Sequence, residues 1–220
     1  MSTLLRFVRL DVRSLRPSTR AFVLSLAVLL FAAVMPTRSP YAITPALAVF
    51  ALLFVPQYLF GNDERGRMDT LYGALGIDRT QVVRGRYMTG TIALLLSAVL
   101  GVVLTPLVAL VLQVDFDWRA VLVLSALTMV LVGIVLSVEL PVYFALGAAR
   151  ARSVGIAIPA LLVGMVIVIA AVFPPVGEWL LRVFDAVPVP VLVVAALVIL
   201  VILGAVSLAV ASRLYRRRDL

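Results

Sequence analysis

Residues 191–211 read VLVVAALVILVILGAVSLAVA, twenty-one residues that include no charged side chain and one serine. Coiled as a helix, such a run is about 31 Å long, which matches the hydrocarbon thickness of a bilayer. A helix of a soluble protein would keep a polar stripe toward water, and this one has none. Working outward from it, five more stretches have comparable character: Ser18–Met35, Ile43–Phe60, Met88–Leu112, Ala120–Leu146 and Val154–Phe173. The pattern predicts an all-α, polytopic membrane protein with six transmembrane helices, built as a single transmembrane domain over residues 1–220.

Composition agrees. Hydrophobic residues make up 64% of the 220 and charged residues 14%. A soluble domain has roughly 45–50% apolar residues and could not hide so much apolar surface. The net charge is +8, and all 19 basic residues are Arg. Lys, His and Cys are absent. Without them the chain cannot build a Ser-His-Asp or Cys-His catalytic set, a thiolate redox centre or a Cys/His zinc site. It also lacks the Lys of a Walker A loop. No catalytic residue, no metal and no cofactor is expected in this chain, and no nucleic-acid partner.

The arginines assign orientation. The N-terminal segment holds Arg6, Arg9, Arg13, Arg16 and Arg20, and Arg65, Arg67, Arg79, Arg84 and Arg86 lie between the second and third spans. Arg150 and Arg152 follow the fourth, and Arg213, Arg216, Arg217 and Arg218 follow the sixth. Only Arg38, Arg119 and Arg182 fall on the other side. Cytoplasmic loops carry the excess of Arg, so the expectation is a multi-pass cell-membrane protein with both termini cytoplasmic. The first span is not read as a cleavable signal peptide, since no small-residue cleavage site follows it.

Three segments outside the spans carry pattern. In residues 1–17, Leu4, Leu5, Val8, Val12 and Leu15 recur at helical spacing with charges between, as in a helix lying at the interface. The loop 61–87 contains a short amphipathic piece, Arg67 to Leu75, with Met68, Leu71, Tyr72 and Leu75 on one face and Asp69 and Thr70 off it. Gly76 can end that piece, and Asp78 with Gln81 resembles a capping box opening the next helix. The piece either docks into a partner's groove or packs on its own spans. In 174–190, prolines bracket Trp179, Leu180, Leu181, Val183 and Phe184, a short interfacial or re-entrant outer helix.

Within the spans, Glu139 is the one carboxylate. Placing it in hydrocarbon costs several kcal/mol, roughly 2.5 or more, unless it is paired or hydrated. Arg86, Arg150 and Arg152 are its candidate partners, and the group serves either a gating role or a structural ion pair. Gln57 and Tyr58, beside Pro56, either line a pathway or bond a neighbouring helix. Ser97/Gly101, Gly133/Ser137 and Ala160/Gly164 have the spacing of close helix crossings.

The loop after the second span resembles that of the small ABC-2-type permeases, the six-span membrane subunits of bacterial ABC exporters. The resembling residues are Asp63-Glu64, Met68-Asp69-Thr70-Leu71, Leu75-Gly76-Ile77-Asp78-Arg79 and Val82-Val83-Arg84-Gly85-Arg86-Tyr87. Leu140-Pro141-Val142-Tyr143-Phe144-Ala145-Leu146-Gly147, followed by Arg150, is a second match. Gly76 replaces a usual Pro, and Arg86 a usual Lys. The resemblance implies that residues 1–17 are a connecting helix and that Arg67, Met68, Asp69, Thr70, Leu71, Leu75 and Arg79 couple to a separate ABC ATPase subunit. ATP and Mg would be bound by that partner. It implies a second permease subunit, identical or not, within the lipid bilayer, and outward movement of an amphipathic or apolar substrate such as a peptide, lipid or drug. The alternative is a non-transporting accessory or immunity protein that binds a peptide or partner.

Overall fold

The computed structural model describes residues 19–66, 78–172, 182 and 186–216. Six α-helices run through them: α1 (Thr19–Val34), α2 (Ile43–Gly66), α3 (Arg79–Leu112), α4 (Trp118–Leu146), α5 (Ala148–Val172) and α6 (Val189–Arg216). A 3₁₀ turn, Pro40–Ala42, leads directly into α2. No strand occurs among the described residues, so the all-α expectation holds.

Four segments are long and apolar enough to cross a membrane: Pro40–Gly61, α3, α4 and α6. They correspond to the expected second, third, fourth and sixth spans. α5, with 25 residues, occupies the place of the fifth. α1 has 16 described residues, about 24 Å of helix, and is shorter than the hydrocarbon core. The expected helices at 1–17 and Arg67–Leu75, and most of 174–190, lie outside the described residues.

Local chemistry sets the helix ends. Asp117 N-caps α4, its carboxylate accepting from the N–H groups of Arg119 (2.9 Å) and Ala120 (3.2 Å). This satisfies two of the donors a helix start leaves orphaned. α3 ends where Gln113 turns left-handed (φ 55°) and its N–H bonds back to Leu110. At the start of α3, Asp78 occupies the cap position, but its side chain makes no capping bond, and its carbonyl accepts from Gln81 instead. The capping-box expectation there is corrected to a backbone-only start.

The joint between α4 and α5 is a single residue. Gly147 sits at φ 79°, where a side chain would be strained, and its N–H closes on the carbonyl of Tyr143 at 2.9 Å. The expected loop therefore shrinks, and Arg150 and Arg152 fall in the first turns of α5.

The helices pack in three layers along the bundle. Leu59, Phe60, Val83, Tyr143, Phe144 and Tyr215 form the layer at the Arg79 end. Leu52, Leu94, Met129, Val132 and Val135 form the middle, and Val34, Ile43 and Leu47 the far end. Two of the small-residue pairs do mark close crossings. A Cβ on Gly101 would stand 2.5 Å from Oγ1 of Thr44 on α2, and one on Gly133 would strike Leu200 of α6. The outward faces of α3 and α6 are apolar, with Leu110, Val111 and Val201 well exposed. In water this would be a liability, and in a bilayer it is the required surface.

Candidate functional site: the polar end of the bundle and its cavity

Near the Arg79 end, α4 turns a carboxylate and a phenol inward one turn apart. Glu139 and Tyr143 are each 1% exposed. They face Gly155 of α5, where a Cβ would lie 2.6 Å from Oε1 of Glu139 and 2.7 Å from the Tyr143 oxygen. Glycine is what lets α5 approach this face. Glu139 thus points into protein, not lipid. Neither of its oxygens has a hydrogen-bond partner among the described residues. Arg86 and Arg150 donate to neither oxygen, so the ion pair expected with them is not made; the side chain of Arg152 lies outside the described residues. Buried carboxylates nearly always have partners, which makes this one exceptional.

Aromatic rings fill the space beside it. Phe60 of α2 stacks on Tyr143 at 4.9 Å and meets Phe144 edge-on at 4.9 Å. The guanidinium of Arg86, itself buried, stands 5.9 Å from the centre of the Phe60 ring. Phe60 therefore meets both this buried cation and the aromatic residues of α4. Phe144 also packs against Tyr215 of α6, with ring centres 5.3 Å apart.

Arg79 links two helices that are distant in sequence. Its Nη1 donates to the carbonyls of Tyr215 (3.4 Å) and Arg216 (3.3 Å), and its guanidinium sits 5.8 Å from the Tyr215 ring centre. A cation at the carbonyl end of α6 answers both the orphaned acceptors and the negative end of the helix dipole. The first residue of α3 is thereby fastened to the last turn of α6. Arg67, Met68, Asp69, Thr70, Leu71 and Leu75, expected to act with Arg79, lie outside the described residues. Gln57 and Tyr58 are half-buried on α2.

Between α3, α4 and α6 lies a cavity of about 390 Å³, within the usual range for small-molecule sites. Its walls include Leu94, Leu136, Leu200 and the glycines Gly90, Gly133 and Gly204. Gln57, Tyr58 and Glu139 do not line it. A hydroxyl clasp lies at its edge. Ser207 donates to the carbonyl of Ser137 (2.6 Å), so its oxygen accepts from the hydroxyl of Tyr87 (2.5 Å). This clasp was not legible in the sequence, since Tyr87, Ser137 and Ser207 are far apart in the chain and each reads singly as a packing residue.

No curated protein and no solved structure matches the chain. A family match covers nearly all of it. Residues 7–216 match the ABC-2 family transporter proteins, and with its membrane-length helices the chain belongs to that family as a membrane transport component.

Proposed function

We infer that the chain is the permease subunit of an ATP-driven exporter that moves an amphipathic or apolar substrate outward. Two permease subunits, identical or different, form the pathway, and two separate ATPase subunits bind ATP and Mg and supply the energy. Six spans place both termini in the cytoplasm, and the segment Arg67–Leu75 docks on the ATPase. The observation that carries this reading, beyond the family match, is the bond from Arg79 to the end of α6. The docking segment precedes α3 by three residues in the chain, so a push on it reaches α3 and, through Arg79, α6 as well. Motion at the ATPase surface then tilts two membrane helices instead of one.

The docking segment presents Met68, Leu71 and Leu75 outside the hydrocarbon. Leaving each in water forfeits roughly 1.5–3 kcal/mol, so a groove must cover them. Arg67 and Asp69 set register there by charge complementarity. Leu71→Asp should abolish recovery of the ATPase in a pull-down and uncouple ATP hydrolysis from transport, while membrane insertion stays normal. Equal recovery with unchanged substrate-stimulated hydrolysis would overturn the docking role and favour an accessory protein.

A further inference from the structure

The cavity between α3, α4 and α6 contains a feature that packing does not explain. Gly101 and Gly155 are glycines because neighbouring atoms would collide with a Cβ. At Gly90 and Gly204, by contrast, nothing lies within 4 Å of where a Cβ would stand. Both are inside helices, where glycine weakens the element relative to alanine. Both line the cavity. Their effect is to keep it wide.

The walls decide what can fill it. Among the described residues no charged side chain lines the cavity, and its surface is mostly leucine and glycine. Of its three hydroxyls, those of Tyr87 and Ser137 at its edge are already engaged, the first with Ser207 and the second with the carbonyl of Gly133, and Thr91 supplies the third. The site therefore offers little to a peptide or a charged drug, whose polar groups would lose water without gaining partners. A hydrocarbon chain loses nothing there. Beyond Met88, at the end nearer Arg79, one more helical turn brings exposed Arg84 onto the face that carries Met88 and Thr91. An arginine at that place answers a phosphate.

We propose that this cavity is a phospholipid site, which takes one acyl chain between α3, α4 and α6 and holds the phosphate beside Arg84. The proposal does not depend on coupling to ATP. The lipid is either resident in the bilayer or the transported substrate, and both share this chemistry.

The test uses the full chain in phosphatidylcholine vesicles containing a trace of phosphatidylglycerol with a photoactivatable diazirine in its acyl tail. After irradiation and peptide mapping, adducts should concentrate on Leu94, Leu136 and Leu200. Gly90→Leu and Gly204→Leu, whose new side chains enter open space, should each cut those adducts about tenfold, equivalent to ~1.4 kcal/mol. Arg84→Gln should reduce labelling by the anionic probe. Adducts on outward-facing Leu107 and Val111 should not change in any variant, which also reports normal insertion. In the assembled complex, cavity labelling unaffected by ATP turnover supports a resident lipid, and labelling that falls with turnover supports a transported one. Adducts spread evenly over cavity and outer faces, unaltered by Gly90→Leu and Gly204→Leu, would overturn the site.

Discussion

Glu139 reverses the expectation attached to its type. From the sequence, a carboxylate near the end of a span reads most simply as half of an ion pair, and Gln in its place should then impair folding. In the structure it is buried against Gly155 with neither oxygen hydrogen-bonded among the described residues. An unpaired acid inside a bundle costs stability rather than supplying it. Glu139→Gln keeps the shape and should therefore leave the melting temperature unchanged or raise it, by about 2–4 °C for each kcal/mol of relief. A clear fall in melting temperature would show that the carboxylate has a stabilising partner after all. Retention of a costly group points to use, so the same variant should lower transport while it leaves the fold intact. The sequence made Glu139 conspicuous through its charge. Gly155 was not conspicuous, because its role depends on which helix faces it.

At the scale of elements, the spans were legible where apolar runs were long, and α3, α4 and α6 lie where hydropathy placed them. Their ends were less legible. α3 begins at Arg79, where the Asp78–Gln81 pattern placed its start, some two turns before the apolar run opens at Met88, because the helix continues past the hydrocarbon while its backbone bonds remain satisfied. Arg150 and Arg152 lie inside α5 for the same reason. Arg79 shows the limit most clearly. Its position beside the coupling loop was visible, but its bonds to the carbonyls of Tyr215 and Arg216 join residues 136 and 137 positions away. Local pattern carries no trace of such a contact. Arg79→Gln removes a charge-assisted pair of bonds and a cation–π contact, together about 1–2 kcal/mol at a half-exposed site. Amide hydrogen exchange at 212–216 should accelerate several-fold, as expected when the local opening free energy falls by that amount, while exchange in the middle of α4 stays the same. Unchanged exchange at 212–216 would show that α6 is held without the Arg79 clasp. If the clasp also transmits motion, ATP hydrolysis in the complex should persist with reduced export.

For the whole molecule, the two ends of the bundle differ in charge, and this difference determines which way the chain lies in a membrane. One end is tied together across three connections. The N–H of Asp117 donates to the Tyr41 hydroxyl at 2.9 Å, and Nη2 of Arg119 donates to the carbonyl of Val187 at 3.2 Å. These bonds gather the α1–α2 turn, the α3–α4 turn and the entry to α6 at a single end, with Arg38 and Arg119 among its cations. Arg20, Arg79, Arg84, Arg150, Arg213 and Arg216 belong to the opposite end, where α1 and α3 begin, α5 follows the Gly147 joint, and α6 stops. Positive charge in short loops is retained on the cytoplasmic side during insertion. The Arg79 end should therefore face the cytoplasm, and with it the docking segment, the Glu139 cluster and the Arg84 edge of the cavity. Reporter fusions after Leu220 and within the turn at Arg38 should sit on opposite sides, with the Leu220 fusion cytoplasmic. This outcome holds whether or not α1 crosses. If α1 does not cross, the Arg38 reporter still lies at the far end of α2, and only a fusion ahead of Arg20 would change sides. Reporters placed ahead of Arg20, at Arg38 and after Leu220 thus separate five crossings from six. Finding the Arg38 and Leu220 reporters on the same side would refute the antiparallel bundle in a membrane, and with it the cytoplasmic placement of the docking segment.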